Sequence, residues 1–564
     1  MKQQVVEVLK GVVDLPIDNM TQLLETPPTR EQGDVAFPCF QLAKVYRQAP
    51  PKIAEDIVSK LDATHLEKNG IKEVVQAGPY VNFFFDRQAY TAKVINTRID
   101  QQLEEVKVGK DKSIVVEYSA PNIAKHFKLY HIRSTMIGQA LANVYGALGY
   151  QVERINHVGD WGTQFGKLIA AYVKWGNEEK VKADPITELV ALYVKFHEEA
   201  ENDSSLEDEG RAWFKKLEDG DEQAVRLWKW FGEESLKEFN KIYDLLGVEF
   251  DHVLGESFYS NKMDDVLAEL KEKDLLEESE GALVVSLDEQ NIPPCIIQKR
   301  DGTSIYATRD IAAALYRGKK FNPEKMLYVV DQRQALHFQQ VFSVVEKMGY
   351  EFGQSCEHLP FGIMKIEGEV GSTRKGKGVL LDEVLNAAID KAKYIVEEKN
   401  PSLENKDEVA EAIGVGAIVF NDLKHHRTHE IDFKWDEAFN FEGKTGPYVQ
   451  YTHARMRSLL RRAGSDTFES TPHAVYQSDL AWDIIFAIEQ YPQVLVETTK
   501  KNDPSQVAKY LLDICQLFNR YYANERFFVE DEAEQQAKLT LAYKAAEILE
   551  HGLSMLTIKA PHQI

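Results

Sequence analysis

The chain has 564 residues, 90 acidic against 67 basic side chains and a formal net charge of -23; that length excludes a single compact core and fits about two to four domains. The negative balance excludes a surface that attracts nucleic acid all round, yet leaves room for a local basic face. Cys39, Cys295, Cys356 and Cys515 lie far apart with no CxxC pair, which disfavours a disulfide framework or a cysteine-zinc site, and no apolar run reaches the roughly 18 residues of a membrane span, so a cytoplasmic protein is expected.

Residues 1–110 read as an α/β module: a helical start, then "GDVAFPCFQLAK" and, after the turn "AGP", the strand-like "YVNFFF". From 111 the pattern changes to parallel α/β. The buried-strand run "SIVVEY" leads through a loop into a helix opening near His131, and a second strand "YQVERINHV" leads into the loop and helix "GDWGTQFGKLIAAYVKW". Strand, crossover helix and strand is the unit of a doubly wound sheet. An acidic insertion is expected over about 176–290 of a domain spanning 111–390. It contains a long amphipathic helix from Asp221 to Leu246, in which Val225, Trp228, Phe231, Phe239, Ile242 and Leu246 recur at helical spacing. The sheet is expected to resume at "IIQKRDGTSIYATRDIAAALYR" and "KMLYVVDQRQALHFQQVFSVVEKMG", ending near "GIMKIEGEVGSTRKGKGVLLDEVLNAAI". Residues 391–564 read as nearly all helix. There "GPYVQYTHARMRSLLRRAG" carries Arg455, Arg457, Arg461 and Arg462 and no acidic residue, which reads equally as a solvated face or an RNA-facing surface.

Polar residues in the α/β part stand where a ligand would sit, at the carboxyl ends of strands. Glu117, Asn122 and His131 flank the first loop. In "HVGDWGTQFG", Gly159 and Gly162 permit close backbone approach while Asp160 and Gln164 offer hydrogen bonds. "YATRD" sets Tyr306 and Asp310 a helical turn apart, and "STRKGKG" is a basic stretch suited to a phosphate. Each alone is matched as well by a turn, a surface helix pair or a plain loop. Their order in one split domain is what argues for a site. No metal site is legible.

These stretches, with "GDVAFP", "GPYVNFFF", "SAPNIAKHF", "HIRSTMIG", "ALHF" and "FEGKTGPYVQYTHAR", resemble the arginyl-tRNA synthetases, members of class I, over essentially the whole chain. The resemblance implies an α/β fold: a Rossmann-type class I synthetase catalytic domain over 111–390, an N-terminal α/β module over 1–110 that touches the tRNA elbow, and a C-terminal all-helical anticodon-binding domain over 391–564. It implies activation of arginine by ATP, with Mg accompanying the nucleotide, and transfer to tRNA(Arg) by a monomer without a tightly bound cofactor. Glu117, Asn122, Tyr306, Asp310 and Gln334 fall where the family holds arginine, and a planar guanidinium with its fork of donors suits such carboxylates and neutral acceptors. Lys128, His131, Asp160, Gln164, Ser372, Thr373, Arg374 and Lys375 fall on the ATP and catalytic positions. Asn82, Tyr448, Arg455, Arg457 and Arg461 fall on tRNA-binding positions.

Both class signatures depart from the family pattern. His-x-Gly-His reads Lys128, Leu129, Tyr130, His131, and the relaxed Lys-x-Ser-Lys-Ser slot reads Val370, Gly371, Ser372, Thr373, Arg374. An aromatic ring at position 130 enters the flat space implied for adenine, and overfilling a packed site typically costs about 1–3 kcal/mol. Two expectations follow. One is a working ligase in which Lys128 serves as the phosphate cation and Tyr130 stacks on adenine. The other is a paralogue or pseudoenzyme that binds tRNA or arginine as a regulator, or performs a changed arginyl-tRNA-dependent transfer.

Overall fold

An unbroken run of β-branched residues makes Ser113–Glu117 (β1) a strand buried on both faces, as befits a parallel strand covered by helices. In the computed structural model, which describes residues 1–300, 305–368, 379–464 and 474–564, β1 is the middle of a five-stranded parallel sheet. Gln151–Asn156 (β2), His252–Val253 (β3), Lys325–Tyr328 (β4) and Cys356–His358 (β5) complete it. The spatial order β5-β4-β1-β2-β3 reverses between β1 and β4. Ligands of doubly wound sheets bind at that reversal, outside the carboxyl ends of the strands. There Glu117 and Tyr328 are register partners.

Helix His131–Ala147 (α1) follows β1, Thr163–Trp175 (α2) follows β2, and Glu222–Leu246 (α3) lies in the insertion. Tyr306–Phe321 (α4) precedes β4 and Ala335–Lys347 (α5) follows it. The expected long helix is α3. Asp221 caps it, its carboxylate accepting the Gln223 and Ala224 N–H groups at 3.1 and 3.0 Å, and Gly247 ends it in the left-handed conformation, φ 67°. Phe231, Phe239 and Leu246 are buried along it.

Some pairings differ from the sequence reading. The chain returns to the parallel sheet at β3, inside the 176–290 stretch. The "IIQ" strand, Cys295–Gln298, is no part of that sheet: it pairs antiparallel with Ala282–Val285, which pairs with Glu277–Ser279. A short apolar run reads alike in both settings. Met364–Ile366 is outside that sheet too, pairing parallel with Ile431–Phe433 in a separate two-stranded sheet.

The described residues form two compact units. Gln102–Arg455, Tyr491–Asp513 and Leu549–Ile564 make up the unit with the parallel sheet. The other joins Met1–Gln101 to Met456–Gln490 and Ile514–Ile548. Within it, Tyr80–Phe85 is the central strand between Val35–Pro38 and Ile71–Ala77. Buried Asp34 accepts the Phe85 N–H and the Trp482 indole N–H, both at 2.9 Å. Trp482 also meets the Tyr90 ring at 5.5 Å. Residues 1–101 therefore share a core with helices far along the chain. None of the four cysteines, all among the described residues, is in a disulfide, and no helix among the described residues is long and apolar enough to cross a membrane.

Candidate functional site

The loop from β1 to α1 holds side-chain-bearing residues in a conformation they ordinarily avoid. Ser119, Ala120 and Ala124 have φ of 70°, 50° and 57°, a strain of about 1–3 kcal/mol each. A different element fixes each bend: Ser134 Oγ accepts the Ser119 N–H at 3.0 Å, Asn156 Oδ1 the Ala120 N–H at 3.2 Å, and Ser235 Oγ the Ala124 N–H at 3.1 Å. Strain so over-determined marks functional loops. The loop is also bridged to the segment after β2, where Ile123 N–H bonds Gly159 O and Gly159 N–H bonds Pro121 O, both at 3.0 Å. A Cβ on Gly159 would lie 2.2 Å from Asn122 Oδ1, so only glycine permits this approach. Asn122 and the "HVGDWG" segment thus lie against each other.

A chain of polar side chains crosses the switch point. Glu117, at the end of β1, is buried and receives Arg317 Nη1 from α4. The fully buried Arg317 guanidinium also donates to Tyr259 Oη at 3.2 Å and lies 3.3 Å from His157 Nδ1, with the Tyr259 and Tyr328 rings each 5.5 Å away. His157 Nδ1 is closer to the Leu254 carbonyl, to which it donates at 3.0 Å, and its Nε2 lies 3.9 Å from Asp310 Oδ1. Asp310 Oδ2 lies 2.5 Å from His337 Nε2 of α5. Arg309 Nη1 lies 3.1 Å from Glu256, and burial pushes the Glu256 carboxyl above its ordinary range despite that cation. Asp310 keeps a quarter of its side chain open, 26%. The arrangement is a carboxylate held by the His337 imidazole, partly open and able to accept a cationic donor group.

The stretch Phe127–Leu129 pairs with the chain at Val379–Leu381. Leu129 N–H bonds Val379 O at 3.0 Å and Leu381 N–H bonds Phe127 O at 2.9 Å. His131 Nδ1 accepts the Lys128 N–H at 3.0 Å, which leaves the ring proton on Nε2. Burial pushes the His131 imidazole down to about 4, so it is neutral near pH 7. Tyr130 is 48% exposed, with its ring 4.1 Å from that of His131. Val370, Gly371, Ser372, Thr373, Arg374 and Lys375 lie outside the described residues.

Other expected residues have more structural surroundings. Both Asp160 oxygens are taken by Ser257, from its N–H at 2.8 Å and its hydroxyl at 2.6 Å. Gln164 Nε2 donates to Trp161 O at 2.9 Å. Tyr306 is 69% exposed with Arg309 over its ring, and Gln334 is exposed in a turn that Asp331 caps. Tyr448 and Arg455 belong to the unit with the parallel sheet, and Arg455 stacks on Tyr451 at 5.0 Å. Arg457, Arg461 and Asn82 belong to the other unit. Arg457 lies 5.9 Å from the Tyr543 ring centroid, Arg461 is exposed, and Asn82 is buried at 6%.

Sequence reasoning missed His157, Arg309, Arg317, Tyr259, Glu256 and the role of His337. A signal existed for Arg317, which falls two helical turns after Asp310 on the same helix. His157 directly precedes the Gly-Asp segment that was singled out.

A reversed parallel sheet, a strained loop into α1 and a carboxylate-lined crevice at the switch point are the catalytic frame of a class I aminoacyl-tRNA synthetase, and residues 93–435 match the family model "tRNA synthetases class I (R), catalytic domain". Residues 1–85 match "Arginyl tRNA synthetase N terminal domain" and 449–564 match "DALR anticodon binding domain". The chain is 49% identical to the arginine-tRNA ligase of Alkaliphilus metalliredigens over all of itself and 99% of that protein. It is 50% identical to arginine-tRNA ligase 2 of Bacillus anthracis, with both chains covered completely. Its fold matches the arginyl-tRNA synthetase structure of Thermus thermophilus with a TM-score of 0.83 at 24% identity, covering 100% and 99% of the two chains. The chain belongs to the arginyl-tRNA synthetase family.

Proposed function

We propose that the protein activates arginine with ATP and transfers it to tRNA(Arg), as a cytoplasmic monomer for which Mg accompanies the nucleotide. One observation carries the reading: the Asp310 carboxylate, a quarter open, is clamped by His337 at 2.5 Å at the switch point. A guanidinium-bearing substrate fits it, with Glu117, Asn122, Tyr306 and Gln334 around it. Neutral His131 supplies an Nε2–H donor and Lys128 a cation for the phosphates, while the helix carrying Tyr448, Arg455, Arg457 and Arg461, together with Asn82, takes up tRNA. ATP-pyrophosphate exchange with arginine and tRNA(Arg) tests this; tight arginine or tRNA binding with no exchange above background refutes it. In the same assay Asp310→Asn is expected to raise KM for arginine about tenfold to a hundredfold, from the roughly 1.5–3 kcal/mol of a charged hydrogen bond.

The second reading, a binder of tRNA or arginine that forms no adenylate, draws on the Tyr130 ring beside His131. The two readings give Tyr130→Ala opposite signs. If the phenol stacks on adenine, as we infer from its exposed position, the variant raises KM for ATP by the equivalent of about 1–3 kcal/mol, and Tyr130→Phe behaves nearly as the parent. A gain of exchange activity in Tyr130→Ala would mean that the ring obstructs the nucleotide.

A further inference from the structure

We propose that His453, Glu550 and His562 form a binding site for a borderline divalent cation, Zn2+ above all, which clips the segment Lys559–His562 onto helix Gly446–Arg462. One ligand atom from each residue lies within 4.8 Å of the other two. His453 Nε2 is 3.7 Å from Glu550 Oε2, and His562 Nε2 is 3.8 Å from Glu550 Oε1. Both separations exceed hydrogen-bond length. Around a tetrahedral zinc with bonds of about 2.0–2.2 Å, neighbouring ligand atoms stand roughly 3.3 Å apart. The two histidine–carboxylate separations exceed that by about half an ångström, each measured to a different Glu550 oxygen, and with one ligand atom per residue no separation exceeds 4.8 Å. The His562 and Glu550 side chains are 58% and 45% exposed, so an ion reaches them from solvent.

The buried member is the prepared one. His453 Nδ1 lies 3.0 Å from the Pro561 carbonyl; donation to that oxygen puts the ring proton on Nδ1 and leaves the lone pair on Nε2, the nitrogen that faces Glu550. A backbone carbonyl holding the far side of the imidazole is the usual orienting contact of a metal-bound histidine. Two imidazole nitrogens and a carboxylate suit zinc, cobalt or nickel, whereas calcium and magnesium prefer all-oxygen sets. The segment is already in register, since Gln450 donates to Lys559 O at 2.8 Å and Lys559 pairs with Glu411 at 2.7 Å. Little ordering remains to be done when the ion arrives.

The test uses the full chain, stripped with chelator and desalted, then titrated with Zn2+ against a chelating indicator and with Co2+ by visible absorption. The expected result is one Zn2+ per chain, a raised melting temperature, and Co2+ bands of a four-coordinate site. His562→Ala and Glu550→Gln, both at exposed side chains, should each weaken Zn2+ binding at least about tenfold and remove the Co2+ bands, with the melting temperature of the metal-free protein nearly unchanged. Absence of saturable Zn2+ binding by the parent protein overturns the proposal. So does parental affinity in His562→Ala, which would place the ion elsewhere.

Discussion

Changing Glu117 to glutamine is expected to destabilise the protein by about 3–5 kcal/mol, the range seen when one member of a buried ion pair is neutralised. The side chain keeps its shape, so packing is not the cause. Arg317 is fully buried and takes its counter-charge from Glu117; what remains to it is the Tyr259 hydroxyl and the faces of Tyr259 and Tyr328. Neutral dipoles and ring quadrupoles offset part of the lost charge, each at the scale of about 1 kcal/mol. An uncompensated guanidinium would remain beneath the substrate crevice. A loss of that size is a large share of the roughly 5–15 kcal/mol that holds a protein folded. Thermal unfolding followed by calorimetry measures it. The double variant Glu117→Gln with Arg317→Met removes both charges and should recover much of the loss. Equal melting of Glu117→Gln and parent would show that the ion pair contributes nothing.

This pair also shows where sequence reading stops. Strand β1, helix α1, strand β2 and helix α3 were legible because their signals are local: a β-branched run, a helical period, an Asp cap and a closing glycine. β3 was not, since His252–Val253 is too short to carry a period. Cys295–Gln298 had the right type and the wrong sheet, because pairing partners leave no trace in a short apolar run. At the site, Glu117 and Asp310 stood out through their motif positions. Arg317 did not, because an arginine near the end of an amphipathic helix reads as solvated until the opposite carboxylate is known. The same limit hid Asp34 with Trp482, and His453 with Glu550 and His562, whose members meet only in the folded chain.

Replacing Arg133 by methionine is expected to cost about 3–5 kcal/mol as well, and to reduce arginine activation beyond what unfolding explains. Arg133 lies in the first turns of α1, just after His131, and is 1% exposed. Its Nε donates to Asp422 Oδ1 at 2.8 Å, and its Nη1 donates to the Gly362 and His429 carbonyls, both at 2.8 Å. One planar cation therefore ties α1, the helix that follows the strained loop, to the chain after β5 and to helix Lys406–Leu423. Methionine fills the space but strands the Asp422 carboxylate, itself 1% exposed, and leaves two carbonyls without their donor. Arg133→Lys should fare little better, since a point ammonium cannot reproduce a planar fork directed at three acceptors. Adding Asp422→Leu to Arg133→Met removes the stranded charge, so stability should return in part. Activation should not, because the first turn of α1, and with it His131 and Lys128, has lost its anchor. Calorimetry and pyrophosphate exchange on the three variants separate the two effects: exchange that recovers in step with melting temperature in the double variant would reduce Arg133 to a folding role.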